Sequence, residues 1–534
     1  MGKSSSRGRK LLYGLVSSVI LLLICAMLQW HSGAYSCDLA GTPDEPAHVV
    51  TGLMVHDYLE HLAGAGFSHW PLSPRAFAET YYVHFPKIAI GHWPPLFYLV
   101  QALWMLVFGR TKIALLTLMV VTTAGAATLL LRMMRTSDGP VSAFIFVTAF
   151  LLLPVMQESL FSVMPDALLA LLACAAMMAG ARAIEGGRGR WSLFWVFTVA
   201  AMLVHGRGAA LLPVPWIALI LAGKKGMLRD RTLWIGAALV LLPTVPWFFW
   251  NNRTSRLSFG SELAAATIFP VHSFQCLGPV LFALMVLGAI AAPYRKEPCW
   301  GIATGLLLGT WMVSSVAIVP WDDRYFICAV PASVVLAALG LHLTARVVSV
   351  VSGWSRVATG AVMAGLVGAV SVGWALPLEK KPRVTYESFV AATLAGQDGN
   401  NLVYLVAGDP AHEGGFIASV ALDDPAVKHF VLRATKTLGV TDWSMSHFDP
   451  VFHTTAEMAD FLNRSWISLV VIQQDSERPD SKLLGATMLD SKWQPVAAPA
   501  GSLAYRRTAP LPQGAMTIRV DMRETMGKNL EAGP

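Results

Sequence analysis

PPLFYLVQALWMLVFG, residues 94–109, is apolar enough for a bilayer yet short for crossing one. A spanning helix needs about 20 apolar residues. This run also opens on Pro94 and Pro95 and has few flanking charges, so it reads as a re-entrant or interfacial helix. That reading sets the side of the membrane on which every later loop falls.

The surrounding chain makes a membrane the relevant solvent. Of 534 residues, 55% are hydrophobic and 14% charged, and the mean hydropathy is +0.54, well above that of a soluble enzyme. The net charge of +7 does not point to nucleic acid, because Lys and Arg lie in short clusters between apolar runs. Six cysteines, Cys25, Cys37, Cys174, Cys276, Cys299 and Cys328, show neither CxxC nor metal-ligand spacing and suggest no disulfide framework.

The first apolar run, residues 11–30, follows Lys3, Arg7, Arg9 and Lys10 and lacks a small-residue cleavage site, so it reads as a retained anchor with a cytoplasmic N-terminus. With 94–109 left out, further spans are expected at 113–131, 141–155, 167–183, 191–204, 209–222, 233–250, 272–292, 301–320, 325–344 and 358–376, giving eleven crossings. The cytoplasmic loops then hold Arg132 and Arg135; Arg182, Arg188 and Arg190; Lys224, Lys225, Arg229 and Arg231; Arg295 and Lys296; and Arg346 and Arg356, as the positive-inside rule asks. Counting the short run as a span would reverse them all. The outer face receives Asp44, Glu45, Asp166, the loop NNRTSRLSFGSE, the segment WDDRYF and the tail.

Two domains are expected, a transmembrane catalytic part over 1–376 and a soluble extracytoplasmic α/β part over 377–534, a normal domain size. In the tail, NLVYLVAG, HFVLRATKTL and WISLVVIQQD read as buried strands, and TTAEMADFLNRSW as a helix with a threonine cap.

Adjacent carboxylates in the first outer loop, CDLAGTPDEPAHVV (residues 37–50), suit a reaction between a lipid-borne group and a polar acceptor. The segment VVTGLMVHDYLEHL follows, with Val50, Leu53, Met54 and Leu59 suited to one face of a surface-lying helix. An acceptor attacking an anomeric carbon must lose a proton, and a carboxylate within reach is the usual base. A departing phosphate needs cations or hydrogen-bond donors. Asp44 offers the base, and Glu45 a group to orient it or to bind acceptor. Arg324 and Tyr325 offer phosphate contacts on the same face, with His92, His205 and Arg207 as additions.

PDEPAHV, GHWPPLFYL, SVMPDALLALL and WDDRYFICAVPASVVLAALGL, in this order and with this sidedness, resemble the GT-C glycosyltransferases, in the branch of the protein O-mannosyltransferases and the lipid A aminoarabinose transferase. The resemblance covers about residues 10–345. It implies a GT-C fold: a polytopic α-helical membrane protein with interfacial helices in the first outer loop. It also implies inverting transfer from a polyprenyl-phosphate sugar to a lipid, glycan or protein acceptor, at the outer face of a bacterial-type inner membrane. Asp44 would be the base, Asp166 the second acidic residue, and Arg324 with Tyr325 would lie near the donor phosphate. The chain departs from the pattern where Trp93 separates His92 from Pro94, and in VHGRGAAL, where relatives often carry lysine-glycine and Arg207 stands here.

Each residue has a structural alternative. Asp44 and Asp166 are also good helix caps, and Arg324 is a natural snorkelling anchor. His205 and Arg207 suit anchoring where two short spans meet. His48, His56, His61, His69 and His84 crowd the first outer loop without a defensible metal-ligand spacing. The sequence names no certain cofactor and leaves open whether a divalent cation helps the phosphate leave. A multi-span transporter or flippase is the alternative class, disfavoured because the charged candidates gather on one face instead of at the bilayer centre.

Overall fold

A computed structural model describes residues 2–64, 73–88, 93–186, 189–255, 263–316, 322–383, 385–395, 401–441, 448–490 and 492–513. Among these, eight helices are long and apolar enough to cross a membrane: Leu12–His31, Lys112–Arg135, Asp166–Gly186, Arg231–Phe249, Thr267–Arg295, Pro298–Val316, Val330–Ser352 and Arg356–Ala375. Pro140–Leu152 and Pro154–Phe161 meet the same test as a pair bent by 65°. Leu96–Phe108, Ser192–Val204 and Gly206–Leu221 are shorter apolar helices. A helix or bent pair therefore stands at each expected span, and two of the expected crossings, 191–204 and 209–222, fall on short ones. The chain is a mainly helical membrane protein with a small strand-containing C-terminal part.

Contacts divide the chain into two compact units, neither of which is one continuous stretch of sequence. The first comprises Met1–Ser32, Gly91–Phe97 and Leu116–Lys380. Its helices expose Leu15, Leu242, Phe249, Val351 and Val357, surface that costs nothing in hydrocarbon but would be expensive in water. Between helices, where lipid tails are as apolar as leucine, small residues govern close approach. Gly288 lies against the carbonyl of Leu336, and Gly340 against that of Leu284, so Thr267–Arg295 and Val330–Ser352 meet backbone to backbone. Gln29 provides the polar tie, its Nε2 donating to the carbonyls of Leu116 at 3.0 Å and Leu160 at 2.6 Å.

The second unit comprises Gly33–Ile90, Tyr98–Leu115 and Lys381–Pro534. Its centre is a five-stranded sheet. The strands in chain order are β1 Val403–Ala407, β2 Phe430–Arg433, β3 Gly439–Thr441, β4 Phe448–Pro450, β5 Leu469–Gln473, β6 Trp493–Val496 and β7 Ser502–Arg507. The sheet order is β2-β1-β5-β7-β6, parallel over β2-β1-β5 and antiparallel at β7 and β6, while β3 and β4 form a separate pair. β1 is buried throughout, as a strand covered on both faces must be. Leu405, Leu432, Leu462, Val470 and Leu484 form its core. Thr454 caps the helix Thr455–Arg464 by accepting from the Glu457 amide at 3.2 Å, the expected threonine cap.

The helix Pro410–Asp423 carries Gly414 and Gly415, which interrupt its apolar spacing. Asp409 starts it by accepting from the amides of Ala411 and His412, both at 2.9 Å, and Pro410 suits the first turn. Against it packs the helix Glu45–Gly64. Val50 and Leu53 of that helix are fully buried, but burial runs around its whole first half, from Glu45 to Leu53, instead of following one face. Packing by the α/β domain accounts for the difference from a helix lying only on a surface.

Candidate active site

In the second unit, Asp44 is half-buried at the position before the helix Glu45–Gly64, and its carbonyl accepts from the His48 amide at 3.0 Å. The next carboxylate is held differently. Glu45 and Lys381 are both fully buried, and Glu45 Oε1 lies 2.6 Å from Lys381 Nζ. The other oxygen, Oε2, accepts from the Gly41 amide at 2.6 Å, so Glu45 closes its own loop onto the chain entering the tail. One turn further, His48 Nδ1 meets the Tyr98 hydroxyl at 2.9 Å. Tyr98 and Lys87 both lie in the electrostatic field of Asp44.

Among the described residues, the loop histidines do not converge. His48 pairs with Tyr98, His84 Nδ1 lies 2.9 Å from the carbonyl of His429, and His69 falls outside the described residues. His56, Asp57 and Glu60 bring ligand atoms within 4.8 Å of one another. Asp57, however, is engaged by Arg110 at 3.0 and 3.1 Å and by the Tyr81 hydroxyl at 3.0 Å, so a guanidinium stands where a cation would bind. The Asp57 carboxyl sits below its usual range despite burial, because His56, Arg110 and Tyr81 hydrogen-bond to its charged form. Arg110 also donates to the carbonyls of Ala421 and Leu422, both at 2.7 Å, and so ties the first outer loop to the end of Pro410–Asp423.

In the first unit, Asp166 opens the helix Asp166–Gly186 and is buried. Arg207 follows His205, whose Nδ1 accepts from the Arg207 amide at 3.1 Å and fixes the turn Gly206–Leu211. Gly309 permits that turn to pack: a Cβ there would strike the carbonyl of Ala210. The Arg207 guanidinium lies 3.7 Å from the centre of the Tyr325 ring and donates to Ser314 Oγ at 3.2 Å. Arg324 lies 5.5 Å from the same ring and 2.8 Å from Asp322 Oδ2. Asp166 and Asp322 both act electrostatically on Arg207. Four residues singled out in the sequence, Asp166, Arg207, Arg324 and Tyr325, therefore share one neighbourhood, while His205 serves its turn. His92 lies outside the described residues.

Lys87, Tyr98, Arg110 and Lys381 are not among the residues that the sequence singles out. A lone basic residue in an outer loop, as in FPKI at residues 85–88, was the available signal for Lys87. Nothing local marks Lys381 as the partner of a residue 336 positions away.

A mainly helical membrane part and a small strand-containing C-terminal part give the chain a GT-C-type fold. Similarity to solved structures extends over most of the chain. ArnT from Cupriavidus metallidurans in the apo state is 13% identical, with a TM-score of 0.56 over 91% of this chain and 97% of ArnT. The same protein bound to undecaprenyl phosphate is 14% identical, with a TM-score of 0.55 over 93% and 99%. The archaeal oligosaccharyltransferase AglB from Archaeoglobus fulgidus, in complex with an inhibitory peptide and a dolichol-phosphate, is 12% identical, with a TM-score of 0.52 over 97% and 78%. Residues 92–250 match the family model described as dolichyl-phosphate-mannose-protein mannosyltransferase. No curated protein matches the sequence.

Proposed function

We propose that the protein is an inverting glycosyltransferase that moves a sugar from a polyprenyl-phosphate donor to a lipid, glycan or protein acceptor on the outer face of an inner membrane. The observation carrying this reading is the mannosyltransferase-family match over 92–250 inside a GT-C fold. Polyprenyl phosphates bound to ArnT and AglB support the donor class. In this reading Asp44 removes the acceptor proton as the acceptor attacks the anomeric carbon. The bond from that carbon to the phosphate oxygen breaks, and its electron pair leaves on the polyprenyl phosphate. Arg207, Arg324 and Tyr325 supply cations and a hydroxyl to the charge developing on the phosphate. Asp166 is the second acidic residue, acting through Arg207; Glu45, paired with Lys381, holds the loop that carries the base.

The test is release of polyprenyl phosphate from a panel of labelled polyprenyl-phosphate sugars, with membrane extract as acceptor source. Wild type should consume one donor, and Asp44→Asn should lose at least about two orders of magnitude in rate, the usual contribution of a general base. Consumption of none by a folded wild-type protein, or of the same donor at the same rate by Asp44→Asn, would refute the reading.

A further inference from the structure

In the first unit, the helix Thr267–Arg295 presents one inward face before its backbone leaves helical geometry at Gly278. Phe269, Ser273 and Cys276 are buried and His272 is half-buried, whereas Val271 and Phe274 between them are exposed. Spacings of three and four residues place the inward side chains on one stripe. Three of them meet the turn Asp323–Phe326, which carries Arg324 and Tyr325. His272 Nδ1 lies 2.6 Å from Asp323 Oδ1. A carboxylate only accepts, so Nδ1 carries the proton and donates the bond. One helical turn further, the Cys276 thiol donates to the Asp323 carbonyl at 3.7 Å. The ring of Phe269 lies 5.6 Å from that of Phe326, centre to centre.

Asp323–Phe326 is a 3-10 turn, in which side chains three apart eclipse and neighbours diverge by about 120°. Asp323 and Phe326 therefore share the side that faces Thr267–Arg295, which leaves Tyr325 to meet Arg207. Asp322 starts the turn: its side chain accepts from the Arg324 amide at 3.1 Å and its carbonyl from the Tyr325 amide at 2.9 Å. Phe269 also stacks on Trp311, with centres 6.3 Å apart. Trp311 is one turn before Ser314, whose hydroxyl accepts from Arg207. One helix face thus braces both partners of the Arg207–Tyr325 stack.

We infer that His272 is a positioning residue for the donor phosphate, its bond to Asp323 fixing the turn that presents Arg324 and Tyr325. The inference rests on reading those two residues as phosphate contacts. The Asp323 side chain is 53% exposed, so burial does not hold it in place and the histidine must. A loose carboxylate one residue from a phosphate contact would also repel the phosphate as a like charge. The bond that pins the turn therefore also occupies that carboxylate. Solvent-exposed pairs contribute little to stability, so removing this one should register in phosphate binding before it registers in folding.

Two measurements test this, and they fail independently. The first is the affinity of the full-length protein in detergent for undecaprenyl phosphate and for dolichyl phosphate, read by native mass spectrometry. His272→Ala should weaken binding by about tenfold, with the unfolding midpoint of the lipid-free protein unchanged. His272→Asn, whose amide N–H stands where Nδ1 does, should keep the wild-type affinity. His272→Gln, whose amide reaches one bond further, should not. Wild-type affinity in His272→Ala, a loss in His272→Asn equal to that in His272→Ala, or a loss matched by a lower unfolding midpoint would each overturn the inference. The second measurement needs no lipid. Hydrogen exchange of the backbone over residues 322–329 should be about tenfold faster in His272→Ala, the worth of one charge-assisted hydrogen bond, and at the wild-type rate in His272→Asn. Unchanged exchange in His272→Ala would overturn the inference whatever the lipids do. Failure of the wild type to bind either lipid would instead sink the polyprenyl-phosphate reading, leaving exchange to decide whether His272 holds the turn.

Discussion

Glu45 and Asp44 are neighbours in sequence with opposite environments. The Glu45–Lys381 pair is wholly out of solvent, so neutralising one partner leaves a buried unpaired charge. Glu45→Gln or Lys381→Met should each destabilise the protein by about 3–5 kcal/mol, whereas replacing both with methionine should cost much less. Thermal unfolding in detergent of the two single variants and the double variant checks this, since a sum of the single losses in the double variant would contradict pairing. Arg207 tests a different property of a cation. Lysine keeps its charge but cannot stack a planar guanidinium on Tyr325, 3.7 Å away. Arg207→Lys should therefore weaken donor turnover by about tenfold, read as kcat/KM, with the fold intact.

At the scale of elements, the apolar helices were legible because composition in a membrane leaves few alternatives. The threonine cap at Thr454 was legible for a local reason, and Thr454→Ala should cost the outer unit about 1 kcal/mol, measurable as a lower unfolding midpoint. Pro410–Asp423 was hidden because Gly414 and Gly415 resemble a turn. The purpose of Gly414 is tertiary, since Lys87 and Pro46 occupy the space a side chain would fill there. β6 and β7 escaped notice similarly, as short antiparallel strands whose alternation, buried at Ser502 and Ala504 but exposed at Leu503, departs from a simple apolar pattern. Of the candidate residues, Asp166, Arg207, Arg324 and Tyr325 gather in the first unit, yet the sequence could not assign Glu45 to Lys381, because pairings across hundreds of residues leave no periodic trace. The Gly309 contact gives a prediction at this scale too. Gly309→Leu should force the Pro298–Val316 helix off the Gly206–Leu211 turn, lowering stability by about 1–3 kcal/mol and disturbing the Arg207–Tyr325 stack. Unfolding in detergent and donor affinity should fall together.

For the molecule as a whole, acidity should act most visibly through Asp38. Burial pushes its carboxyl up to about 6, Glu387 adds to the rise, and the amides of Tyr386 and Glu387 counter it. A native titration above the unfolded one means that protonation favours the fold. The contribution is complete below about pH 4 and is lost as pH rises through about 6, amounting to about 3 kcal/mol. The apparent melting temperature of the outer unit should decline over that window and the decline should flatten in Asp38→Asn; an unchanged slope would contradict the assignment. Membrane orientation has its own test, because a reporter joined after Leu376 should read as extracytoplasmic.

The second unit is assembled from Gly33–Ile90, Tyr98–Leu115 and Lys381–Pro534, so the ribosome has made its first strip long before its last. The domain cannot fold vectorially behind the translocon, in the N-to-C order usual for domains. Until Lys381 and the sheet emerge, Glu45 has no counter-ion and the apolar first turns of its helix have no cover. A nascent chain stopped at any membrane segment before Lys381 would therefore display an uncompensated carboxylate and bare valines. Only a chain translated to its tail can bury that carboxylate against its lysine.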